Sequence, residues 1–87
     1  MEGRFIHKVP GGKLLKVAVD YDSGRIVSVR INGDFFAHPE DGVERLEAAL
    51  SGKRIDEIES VVRDFSGVVF YGISLKDIVF AIREAVK

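Results

Sequence analysis

From Lys13 to Ile31 apolar side chains keep returning at every second position, and no other feature narrows the possible folds so far. Leu15, Val17, Val19 and Tyr21 share one side of an expected strand over residues 13–21, the pattern of a half-buried strand. Val27, Val29 and Ile31 repeat it beyond the turn-forming Asp22-Ser23-Gly24. The second strand then breaks at Asn32-Gly33, a pair that tolerates left-handed backbone angles, and leaves the sheet as Asp34-Phe35-Phe36. Successive side chains on extended backbone point to opposite sides. Phe35 and Phe36 therefore cannot both enter one core, and one of them needs another surface to cover it.

The alternation also suggests a register. A two-residue turn sets Val19 opposite Ser28 and mixes core with solvent. A three-residue turn with Gly24 left-handed sets Val19 opposite Val27, Val17 opposite Val29 and Leu15 opposite Ile31. On the other face that choice brings Lys16 directly against Arg30, a like-charge pair that disfavours the sheet unless both stems splay into water or meet an anion. Residues 4–9 read as a first strand, ended by Pro10-Gly11-Gly12. Its register stays open between a Gly-Gly turn and one residue more, and the longer turn adds Lys8 to the basic row.

The second half is helical. His38-Pro39-Glu40-Asp41 reads as a helix start, with Val43, Leu46 and Leu50 as the apolar stripe and Ser51-Gly52 as the stop. Asp56 and Glu59 resemble a capping box for a second helix, which faces Ile58, Val61, Val62 and Phe65 inward and breaks at Gly67. Residues 68–71 form a short extended piece. Ser74 and Asp77 cap a third helix, with Ile73 and Ile78 as a staple and Ile78, Ile82, Ala85 and Val86 on the buried side. The expected fold is one α+β domain over residues 1–87, a three-stranded antiparallel sheet followed by three helices.

At 87 residues the chain buries roughly 60% of its unfolded surface, enough for one modest core. With 46% hydrophobic and 31% charged residues it is globular, and a net charge of −1 argues against an obligate nucleic-acid binder. Cysteine is absent, which removes disulfides and thiol chemistry. No apolar run approaches the ~20 residues of a membrane span and no signal segment opens the chain, so a cytoplasmic protein is expected. Glutamine, threonine and tryptophan are missing and asparagine occurs once, a composition that fits a thermophile.

Candidate chemistry is sparse. Pro10-Gly11-Gly12-Lys13 fails as a phosphate loop, since His7 stands where the first glycine belongs, Leu14 replaces the hydroxyl residue, and a strand follows. As a hairpin turn, Gly11, Gly12 and Lys13 remain able to approach a ligand held by another protein. His7 and His38 lack partners at metal-ligand spacing, so no metal site and no catalytic residue is assigned. Lys53-Arg54 reads as a solvated pair. Asp34 is the acid to watch, most simply as an acceptor of backbone N–H groups that fixes its loop.

The order G-G-K-L-L-K-V-x-V-x-Y-x-x-G-x-I-x-x-V-x-I-x-G-D-F-F, then a helix ending L-x-x-A-L-x-G, resembles the C-terminal accessory domain of lipoate–protein ligases. The likeness covers residues 11 to about 54. That domain is fused behind the catalytic domain in many bacterial ligases and is a separate small polypeptide in some archaea, and a chain starting at its own Met1 is similar to the separate form. The resemblance implies a fold like SufE and NifU-type proteins, without the cysteine those use, so a sulfur-carrier role is excluded. It further implies a heterodimer with a catalytic subunit that binds lipoate, ATP and Mg2+. The accessory part is needed to make lipoyl-AMP and less so to pass the lipoyl group to lipoyl-domain acceptors, which it serves indirectly. On this reading Gly33, Asp34, Phe35 and Phe36 form the partner interface. Gly11, Gly12, Lys13, Lys16 and Arg30 face a ligand or an acidic patch, and this chain alone binds no cofactor, nucleic acid or membrane. Two rival readings remain. One is a stand-alone module that offers its basic sheet face to an acidic protein or RNA. The other is an acceptor domain that itself receives a lipoyl or biotinyl group, with Lys13 as the lysine to check, against which the helical second half argues.

Overall fold

A computed structural model describes residues 1–65 and 67–87. Three long strands, β1 (Glu2–Lys8), β2 (Leu14–Asp22) and β3 (Arg25–Gly33), form an antiparallel sheet in that order. The chain continues through a short strand β4 (Phe36–His38), helix α1 (Gly42–Leu50), a 3-10 turn (Ile55–Glu57), helix α2 (Ile58–Arg63), strand β5 (Val69–Tyr71) and helix α3 (Leu75–Ala85). The expected α+β class holds. One element was not foreseen: β4 and β5 pair as a separate two-stranded ribbon.

The helices pack on one face of the sheet, α3 against β1 and β2 and α1 against β3. Leu15, Val17, Val19, Val29 and Ile31 point into the layer between, where they meet Leu46 and Leu50 of α1, Ile58 and Val62 of α2, and Ile78, Ala81 and Ile82 of α3. Burying one such aliphatic side chain stabilises the fold by about 1.5–3 kcal/mol before chain entropy is set against it. Glu47 of α1 reaches the sheet as well, its Oε2 accepting the Ile31 N–H at 2.6 Å.

The β2–β3 register differs from the expected one by two residues. Val19 lies opposite Val29 and Val17 opposite Ile31, while Leu15 faces Gly33. The turn is a two-residue one, with Ser23 at φ 52° and Gly24 at φ 77°, angles that suit the twist of a tight hairpin. It sets Asp22 opposite Arg25 and Tyr21 opposite Ile26. A bulge then inserts one extra residue in β3, so Asp20 pairs with Ser28. Because the shift is even, the core face keeps its residues, with one exchange. Ile26 is buried and Val27, expected inside, is exposed. Lys16 consequently stands opposite Asn32 and Arg30 opposite Ala18, so the direct like-charge pair does not form. The first hairpin takes the longer alternative, with Lys8 opposite Leu14.

Two helix starts also need correction. Helix α1 begins at Gly42 rather than at Pro39, whose carbonyl instead accepts the Gly42 N–H at 2.9 Å. The capping box at the second helix is not Asp56 with Glu59. Glu57 reaches back to the Arg54 N–H at 2.9 Å, Asp56 pairs with the Arg54 guanidinium, and Glu59 receives Arg63 and Arg83. The segment before the 3-10 turn is held by β3, with Lys53 O accepting from Ile26 N and Gly24 O from Ile55 N, both at 2.8 Å. The helical turn therefore begins at Ile55, one residue ahead of Asp56, with Arg54 as the capped residue. The α3 cap agrees with expectation, Ser74 Oγ accepting the Asp77 N–H and Asp77 Oδ2 accepting the Ser74 N–H.

Candidate docking site

The corner after β3 is built by a glycine and an acid. Gly33 sits at φ 155°, and a Cβ there would lie 2.1 Å from the Leu14 carbonyl oxygen. This close approach lets Asp34 N donate to Leu14 O at 3.3 Å, and the Asp34 carboxylate accept the Leu14 N–H at 2.7 Å. Asp34 thus has the loop-fixing role expected of it, through a backbone partner twenty residues away rather than a local one.

The fixed corner then separates the two phenylalanines. Phe35 turns in and meets Phe70, ring centroids 6.2 Å apart. Phe36 turns out and is 72% exposed. Pairing of β4 with β5 sets Phe36 opposite Tyr71 and His38 opposite Val69, so these four side chains share the outer face of the ribbon. Tyr71 is 57% and Val69 52% exposed. The sequence reading missed both. The available signal was an extended apolar piece at residues 68–71 with no strand assigned to pair with it.

The β1–β2 turn closes on the same end of the molecule. Gly12 N donates to Val9 O at 2.8 Å, Val9 N to Lys13 O at 3.1 Å, and Lys13 N to Gly72 O at 3.3 Å, the residue after Tyr71. Gly11, Gly12 and Lys13 are therefore beside the Gly33–Phe36 corner and the ribbon. Lys16 and Arg30 are not part of that corner. They lie on the open face of the three-stranded sheet, as does Lys8.

His7, the inward-facing histidine of β1, puts Nε2 3.3 Å from Asp77 Oδ1 at the start of α3. Burial alone raises the Asp77 carboxyl, but hydrogen bonds from the Ser74 backbone and hydroxyl and from His7 outweigh it and hold the group below the usual value. Among the described residues no three His, Asp or Glu side chains converge to hold a metal ion, and no helix is long and apolar enough to cross a membrane. A groove of about 700 Å³ between α2 and α3, lined by Val62, Leu75, Val79, Phe80 and Arg83, was also unforeseen.

The family model described as "Bacterial lipoate protein ligase C-terminus" matches residues 3–82. The chain belongs to that family. Among curated members it is 42% identical over 72 residues to "Lipoate-protein ligase A subunit 2" of Thermoplasma acidophilum, covering 80% of this chain and 77% of that protein. It also superposes with a TM-score of 0.88 and 38% identity on a chain from the solved archaeal lipoylation system of T. acidophilum, a bi-partite lipoate protein ligase and its E2 lipoyl domain. The match covers 95% of this chain and 96% of that one. In this lipoate protein ligase C-terminal domain the corner is ordered by Gly33 and Asp34, and the outer face of the ribbon stays exposed.

Proposed function

We propose that this chain is the accessory subunit of a two-part lipoate–protein ligase and docks as a heterodimer on a separate catalytic subunit. The observation that carries the reading is 42% identity over 80% of the chain to subunit 2 of a lipoate-protein ligase, joined to an exposed aromatic patch that its own core does not cover. In the complex, the lipoate carboxylate attacks the α-phosphorus of ATP and pyrophosphate leaves. A lysine amine of the lipoyl-domain acceptor then attacks the resulting acyl adenylate and AMP leaves. Both steps belong to the catalytic subunit's pocket in the cytoplasm. On this reading lipoate, ATP and Mg2+ bind in that pocket rather than on this chain.

Its contribution is conformational. A partner that binds the adenylating arrangement of a mobile catalytic segment more tightly, by about 1.4 kcal/mol, raises that arrangement's population tenfold. Phe36 and Tyr71 anchor the contact, and Gly33 and Asp34 hold their corner still. The test mixes this chain with the catalytic subunit, lipoate and ATP and follows pyrophosphate. Release should depend on both chains. Equal release from the catalytic subunit alone would remove the proposal.

A further inference from the structure

The open face of the three-stranded sheet has a charge asymmetry that the aromatic docking patch leaves unexplained. Its cross-strand rows run Asp22–Arg25, Glu2–Asp20–Ser28, Arg4–Ala18–Arg30, Ile6–Lys16–Asn32 and Lys8–Leu14. The acids of the face, Glu2, Asp20 and Asp22, stand together at one end, where Glu2 meets Arg4 at 2.9 Å, Asp20 meets the N-terminal amine at 3.9 Å, and Asp22 lies opposite Arg25. Towards the other end Lys8, Lys16 and Arg30 form a diagonal, spaced roughly 7–8 Å apart as diagonal neighbours on a sheet are. None of the three has a carboxylate within ion-pair distance among the described residues; the same holds for Arg25, Lys53 and Lys76, but only these three gather on one face around an exposed apolar residue. Lys13, likewise without an acid partner, stands just past this end. Asp34 is there too, with one carboxylate oxygen held by the Leu14 N–H. In the middle, directly opposite Lys16, Ile6 is 64% exposed.

We infer that this face, Lys8, Lys16 and Arg30 around Ile6, takes an acidic surface of the catalytic subunit and accelerates its capture. The inference rests on the accessory-subunit reading above. Three unneutralised cations about an apolar residue are a surface awaiting opposite charge, and exposed charges of one sign raise the rate of encounter more than the lifetime of a complex. The cationic end is also continuous with the ribbon, because Lys13 N bonds Gly72 O beside Tyr71. One partner can therefore cover both patches. The two then divide the work: the sheet face sets how fast the subunits meet, and the aromatic ribbon sets how long they stay.

The experiment measures association of the full-length chain with the catalytic subunit by stopped flow across a range of salt. The triple variant K8Q/K16Q/R30Q should associate about tenfold more slowly at low salt, with a flattened salt dependence and a dissociation rate within twofold of the wild type. A single K16Q variant should show the same change in smaller degree, and circular dichroism melts confirm that both fold. If wild type and variants associate at equal rates with equal salt dependence, the inference is wrong even where pyrophosphate release stands. If the variants keep that rate but lose binding to the acceptor domain or to a short RNA, the face belongs to that other ligand and the inference fails. Loss of stimulation by the wild-type chain itself would instead strike the accessory-subunit reading.

Discussion

Phe36 lies directly across from Tyr71 in the β4–β5 ribbon, and the two rings are 72% and 57% exposed on the same face. Pairing of two short strands far apart in sequence has built an aromatic platform that none of the described residues covers. Replacing either ring by alanine should weaken the heterodimer by about 1–3 kcal/mol, as loss of an aromatic anchor does. Folding stability should fall by only ~1 kcal/mol or less, the worth of a cross-strand pair. Titration calorimetry and urea unfolding separate the two. Unchanged affinity in both variants would take the platform out of the interface.

Asp34 should show the reverse balance. Its carboxylate holds the Leu14 N–H at 2.7 Å on an exposed corner. Asp34→Ala removes that bond and should cost about 1 kcal/mol of folding stability, with solvent replacing part of the loss. Partner affinity should fall as well, through a less ordered Phe36. A variant that binds weakly but unfolds at the wild-type urea midpoint would instead place Asp34 in direct contact with the partner.

Gly33→Ala tests the same corner from the backbone. A Cβ 2.1 Å from the Leu14 carbonyl, on a residue at φ 155°, forces the β2–β3 end to open. The expected loss is about 1–3 kcal/mol in urea unfolding, together with faster hydrogen exchange at the Leu14 and Asp34 amides. An alanine variant as stable as the wild type would show that the corner yields without strain.

The α3 cap makes a pH-dependent prediction. Asp77 is held below its ordinary 3.8 in the folded chain. A depressed carboxyl contributes stability that is present above the unfolded value and disappears as pH falls through the folded one. Unfolding free energy should therefore drop as pH is lowered from about 5 past 3.8, and Asp77→Ala, less stable at neutral pH by ~0.5–2 kcal/mol for the lost cap, should drop less. Parallel pH profiles for the two proteins would exclude Asp77 as a source of the acid sensitivity.

What was legible in the sequence followed from local periodicity. The alternation in β2, the Ser74–Asp77 cap and the opposed directions of Phe35 and Phe36 all depend on neighbours a few residues apart, and all three stand. The β2–β3 register was misread because a turn and a bulge act together. The two-residue turn alone puts Val19 against Ser28, and only the extra residue at the bulge restores Val19 to Val29. A bulge carries no composition of its own, so a three-residue turn was the simpler way to keep the core face intact. Tyr71 and Val69 escaped notice because their partners lie more than thirty residues upstream. His7 and Asp77 are seventy residues apart and meet only once α3 has docked on β1.

Glu47 of α1 and Ser51, which caps its C-terminus, also determine what the sheet cannot do. Their side chains take the Ile31 N–H and the Val27 carbonyl, and Ile26 exchanges bonds with Lys53 and Gly52. The outward backbone groups at these points of β3 are already engaged, so a strand from another molecule finds no free ladder there to extend. Growth of the sheet by addition, the usual route from a small antiparallel domain to fibrils, is blocked along that border. On that border the sheet offers no template to a second copy of the chain.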